Sequence, residues 1–145
     1  MTDLPVATGD RVQFTKTVGE TDVYLFAGIS GDFAANHVNQ AHMEGTVYGG
    51  RIAHGALMVA YISAASTRLC ERMPPNPALV PVNLGFDRIR FVGPVRIGDT
   101  VTVDYRVTGI DRERRRATCR AEVTNQKGET VTIADNVLKW VAASV

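Results

Sequence analysis

The stretch from His54 to Glu71 constrains this chain more than any other. It runs Ala56-Leu57-Met58-Val59-Ala60-Tyr61-Ile62, then Ala64, Ala65 and Leu69, and is apolar or small on nearly every side. A helix without a polar stripe must be covered by other elements over most of its surface. The most apolar run, Ile52 to Ile62, is interrupted by His54, ends in small polar residues, and falls short of the ~20 apolar residues that a spanning helix needs. Pro74, Pro75 and Pro77 then stop the helix. The rest of the chain has to wrap this helix.

The second half supplies the wrapping. Leu79 to Phe91 reads as a strand with a change of phase near Asp87, which predicts a bulge. Thr100 to Thr108 alternates strictly at Val101, Val103, Tyr105 and Val107, and Ala117 to Thr124 alternates at Ala117, Cys119, Ala121 and Val123. Thr130 to Val141 completes the set after the Lys127-Gly128 turn. Strands of this kind are antiparallel with one covered face. The charged run Arg112 to Arg116 is read as a solvated hairpin tip rather than a phosphate clamp. In the first half, Val12 and Phe14 mark a short strand. Thr21 and Asp22 look like the start of a short helix ended by Gly28 and Gly31. One wrapped helix plus a meander of strands is an α+β architecture, read as one domain over residues 1–145. Its sheet edges and the open side of the helix invite a second copy, so a homodimer is expected.

With 145 residues, a second core would be hard to fit. Sixteen Lys and Arg against fifteen Asp and Glu leave a net charge of +1, which gives no electrostatic case for nucleic acid or an anionic membrane. Cys70 and Cys119 are too few and too distant for a disulfide framework, and suit a reducing cytoplasm. The start MTDLPVATGD lacks a basic segment followed by an apolar one, so no secretory signal is expected.

Between Gly31 and Gly50 neither period is sustained, except for a turn of helix around Gln40 to Glu44. Loops of nearly twenty residues are uncommon unless functional. Here lie Ser30-Gly31-Asp32-Phe33-Ala34-Ala35-Asn36-His37. On a helix, five residues separate Asp32 and His37 by about 140°, so they meet only if the chain turns between them. A carboxylate and an imidazole sharing one water could divide its proton work. The plainer reading has Asp32 capping a turn and His37 as a partly exposed polar residue.

The second constellation is Arg51-Ile52-Ala53-His54-Gly55, where the loop becomes the helix. Unpaired N–H groups and the dipole of a helix start favour negative charge, and a glycine lets a carbonyl come close. Developing charge on a thioester oxygen would be stabilised there. The plainer readings are that Gly55 relieves crowding and His54 caps the helix or bonds inside the core. Ser63, eight residues on, is placed on a similar face, although a buried serine usually bonds a backbone carbonyl. His37, His42 and His54 lack the spacing of a zinc site, so no metal is expected. Neither a phosphate loop nor a GxSxG elbow occurs.

Taken in order, five segments resemble the MaoC-like hydratases, the (R)-specific enoyl-CoA hydratase group with a hotdog fold. They are Gly9-Asp10-Arg11-Val12, Phe26 to Asp32, Asp32 to His37, Arg51 to Gly55, and Phe91 to Asp99 with Pro94, Val95 and Gly98. The resemblance implies a long helix wrapped by a curved antiparallel sheet, assembled as a homodimer or a dimer of dimers. It implies reversible syn hydration of trans-2-enoyl-CoA to (R)-3-hydroxyacyl-CoA, with the acyl-CoA as partner and no cofactor. Asp32 and His37 would hold the water and Gly55 would receive the carbonyl. Ser63 would lie near the site, with His54 and Asn36 supporting it. The family's D-x-N-P-x-H loop here reads Asp32-Phe33-Ala34-Ala35-Asn36-His37, so the restraint of a proline is lost and packing must hold the geometry. A hotdog thioesterase and a non-catalytic acyl-CoA-binding module remain as rival readings.

Overall fold

The structure, a computed structural model, describes residues 4–144. Its order is β1 (Arg11–Thr17), α1 (Glu20–Ser30), α2 (Ala35–Val38), α3 (Gln40–Glu44), α4 (Gly55–Glu71), β2 (Leu79–Phe91), β3 (Thr100–Asp111), β4 (Arg116–Thr124) and β5 (Thr130–Ala142). The five strands form one antiparallel sheet in the order β1-β3-β4-β5-β2, so β1 and β2 are its edges. Helix α4 packs against β1, β3 and β2. Leu57, Met58, Tyr61, Ile62, Ala65 and Leu69 on it meet Val101, Val103, Tyr105, Cys119, Ala121 and Val123 in a single core cluster. This is the wrapped helix that the sequence pattern predicted.

Strict alternation on β3 and β4 becomes alternating burial, because a pleated strand sends successive side chains to opposite faces. Register then carries the core row by row. Phe14 pairs with Val103, Val103 with Val123, Val123 with Thr132, and Thr132 with Phe91. That row ends at Phe91 on the outer strand, beside the start of α4. Two irregularities in β2, at Asn83/Gly85 and Asp87/Arg90, confirm the expected change of phase. The second holds Arg88 at a positive φ of 52° and leaves its guanidinium paired with the buried Asp135.

Several boundaries differ from the sequence reading. Helix α1 begins at Glu20, where the Gly19 N–H donates to Asp22 Oδ2 at 2.8 Å. Gly28 lies inside α1 and only Gly31, at φ 80°, ends it. His54 is the N-cap of α4 rather than its first residue. Strand β3 continues to Asp111, beyond the predicted Thr108, after a register shift between Val107 and Gly109. The region taken as loop contains α2, a single turn that no periodicity announced, as well as the expected turn from Gln40. Among the described residues, no helix is long and apolar enough to cross a membrane.

Candidate active site

Gly31 stops α1 in the left-handed region that glycine tolerates, and so turns the chain toward α4. Asp32 follows directly. Its Oδ1 accepts the Ala34 N–H at 3.2 Å, the turn-capping role of the plainer reading. Its Oδ2 faces His37 Nε2 at 3.8 Å. The two oxygens thus have separate tasks, one within the loop and one toward the imidazole.

His37 is buried, where partial exposure was the alternative. Its Nδ1 lies 2.8 Å from the Ile52 carbonyl oxygen. A carbonyl only accepts, so Nδ1 carries the proton and Nε2 of the neutral ring presents a lone pair toward Asp32. Two acceptors 3.8 Å apart do not bond each other. They suit a solvent molecule that donates one hydrogen to each. With both contacts near 2.8 Å, such an oxygen would subtend about 85°, narrower than tetrahedral yet open enough.

His54 lies beneath this pair. Its ring stacks on His37 with centroids 3.7 Å apart and planes 24° from parallel, and Phe26 packs against it at 4.8 Å. The same one-way logic applies at His54, because Nε2 donates to the Asp32 carbonyl at 2.9 Å. Its Nδ1 is buried without a partner. The side chain therefore ties the Asp32 main chain to the start of α4 and gives His37 a flat floor. This is the core hydrogen bond of the plainer reading, applied to the loop that matters.

Sequence spacing suggested no metal ligands, yet the fold brings ligand atoms of Asp32, His37 and His54 within 4.8 Å of one another. Stacking works against a shared ion. Lone pairs in nearly parallel rings do not converge, and one nitrogen of each ring is already committed to a carbonyl.

A cleft of about 400 Å³ opens in front, lined by Asn36, His37, His54, Gly55, Phe91 and Thr132 among others. Asn36 is half-buried there, and its carbonyl accepts the Ile52 N–H at 3.0 Å. As the first residue of α4, Gly55 has an N–H with no acceptor inside the helix. A Cβ on Gly55 would sit 2.8 Å from ring atoms of Phe91. A side chain at 55 would have to displace the Phe91 ring, which is the crowding of the plainer reading. Sequence reasoning quoted Phe91 within a motif but gave it no place at the site. Its signal was a large aromatic at the last position of a strand, which here remains 54% exposed.

Ser63 is not brought to this cleft within the chain. Eight residues along a helix advance it about 12 Å and about 80° past two full turns, so the placement near Gly55 is corrected. It lines a separate cleft of about 390 Å³ between α4 and β2, with Ser66, Cys70, Val82 and Asn83. The Arg-rich hairpin tip is also remote. Arg116 pairs with Lys139, seven residues along β5 from Thr132, or about 23 Å of strand. Arg114 there bonds Asp111, as a solvated tip would.

Known proteins carry the same architecture. The (R)-specific enoyl-CoA hydratase of Rhodospirillum rubrum is 42% identical over 120 residues, covering 82% of this chain and 78% of that protein. The 3-hydroxybutyryl-CoA dehydratase of Methylorubrum extorquens is 36% identical over 124 residues, covering 85% and 73%. The solved (R)-hydratase from A. caviae involved in PHA biosynthesis superposes with a TM-score of 0.82 at 25% identity, covering 92% of this chain and 96% of that one. The fold is the hotdog that the resemblance implied. A family model described as the MaoC like domain matches residues 4–131, and the chain belongs to that family.

Proposed function

We infer that this chain is a hydro-lyase that adds water reversibly across the double bond of a trans-2-enoyl-CoA, giving an (R)-3-hydroxyacyl-CoA. The supporting observation is the contact of His37 Nδ1 with the Ile52 carbonyl, which turns Nε2 to within 3.8 Å of the Asp32 carboxylate while His37 itself lines the Gly55 cleft. A water donating to both acceptors keeps its own lone pairs free to face the substrate. His37 Nε2 takes one proton as the water oxygen bonds to the β-carbon. The π electrons move through the α-carbon onto the thioester oxygen, beside the Gly55 N–H. The imidazolium, held by Asp32, then returns its proton to the α-carbon on the same face. Water is consumed whole, and the proton balance closes without a metal or other cofactor.

The assembly in this reading is a homodimer, or a dimer of dimers, in the cytoplasm. Val80, Val82 and Leu84 are between 37% and 47% exposed along the edge strand β2. Ala56, Ala60, Ser63 and Thr67 form an exposed small-residue face on α4. A second copy covering both would close the cleft at Ser63, and light scattering at assay concentration tests this.

The activity itself is tested with crotonyl-CoA. Loss of enoyl absorbance with (R)-3-hydroxybutyryl-CoA as product supports the reading. Free thiol release would identify a thioesterase, and saturable binding without turnover would identify a binding module. Either result overturns it.

A further inference from the structure

The turn that carries His37 cannot hold itself. Helix α2 has four residues, its N-cap Ala34 makes no side-chain hydrogen bond, and an isolated turn of helix is unstable in water. Besides the stacking of His37 on His54, it is docked by hydrogen bonds to Ile52, whose N–H donates to the Asn36 carbonyl and whose C=O accepts His37 Nδ1–H. The position of Ile52 therefore sets the position of the imidazole. Its neighbour Arg51 is an unusual arginine, with a side chain only 12% exposed. Nη1 and Nη2 grip the Glu20 carboxylate at the start of α1, and Nη1 lies 3.3 Å from Tyr24 Oη. Nε and the Arg51 backbone N–H both donate to Gln40 Oε1 at the start of α3, at 3.2 and 3.3 Å. Gln40 Nε2 in turn donates to Glu44 at 3.1 Å.

We propose that Arg51 is a positioning residue for the hydration reaction, a fork that joins α1, α3 and the Ile52 segment and so keeps His37 aimed at Asp32. The proposal rests on the role given to His37 above. It also answers the missing proline, because the loop is restrained from outside rather than by its own φ angles. A lysine cannot replace the fork, since one ammonium reaches Glu20 or Gln40 but not both. Arg51 touches no reacting atom and acts on His37 through the Ile52 and Gln40 segments it joins.

The test compares wild type, Arg51→Ala, Arg51→Lys and the milder Glu20→Gln. Crotonyl-CoA kinetics are read alongside nitrogen NMR of the His37 ring and hydrogen exchange at the Ile52 amide. A displacement near 1 Å at a reacting group costs about 100-fold. Arg51→Ala lowers kcat by about that factor with KM unchanged, and the slowly exchanging His37 Nδ1–H is lost. Added guanidinium restores turnover and the signal in Arg51→Ala. Arg51→Lys stays impaired, and Glu20→Gln falls between wild type and Arg51→Ala. Full kcat with the Nδ1–H signal retained in Arg51→Ala overturns the proposal. So does a joint loss of activity and thermal midpoint that guanidinium does not reverse. If wild type fails to hydrate crotonyl-CoA, the proposed function falls, while the NMR arms still decide whether Arg51 holds the His37 turn.

Discussion

The β3-β4-β5 sheet and the 31–54 segment are built on opposite terms. In the sheet, each residue is supported by neighbours of its own kind. Val103 is paired on both sides, fully buried, and placed by a period that the sequence states outright. In the 31–54 segment, His37 is held by one carbonyl and a stacked ring, and Asp32 by one capped turn and a bond from His54 to its main chain. Chemistry sits on the second kind of structure because a reactive group must keep polar atoms unpaired toward the substrate. A strand interior leaves none.

This contrast predicts that the two regions fail differently. The largest effect is expected at the loop, where His37→Gln or Asp32→Asn lowers turnover by about 100- to 10,000-fold. Neither moves the thermal midpoint much, as melting curves beside steady-state rates would show. A midpoint collapse would make the pair structural. Next comes the core, where Ile62 is fully buried. Ile62→Ala costs about 2–5 kcal/mol of stability in denaturant titrations. Turnover per folded molecule stays at the wild-type value, and a comparable loss of kcat would erase the distinction between the regions.

A smaller effect comes from alkali and again belongs to the core. Burial pushes the Tyr61 hydroxyl up from 10 to about 12, and the Cys119 thiol from 9 to about 11. The unfolded chain then releases these protons first, so folding stability falls as pH rises from about 9 toward 12. Thermal midpoints across that range measure the decline. Cys119→Ala removes its earlier part, between about pH 9 and 11.

The sheet was legible because alternation at Val101, Val103, Tyr105 and Val107 states a period and a face together. The α4 helix was legible from its apolar circumference and the prolines after it. Asp32 and His37 were found as residue types, and motif order suggested that they belong together. Their geometry was not readable, because it depends on Ile52 and His54, fifteen or more residues away and bonded through main-chain atoms. Side-chain identity carries no record of a backbone acceptor. Ser63 shows the converse: the resemblance put it near the site, but two turns of helix and about 80° of rotation separate it from Gly55 within one chain, and it lines another cleft.

The central claim is that one carboxylate and one imidazole act on the same solvent molecule as a unit. A double-mutant cycle of Asp32→Asn and His37→Gln, read as kcat/KM for crotonyl-CoA hydration, tests it most directly. The double variant is expected to be no slower than the slower single variant, because either change alone already releases the water. Losses that multiply across the two sites would contradict it.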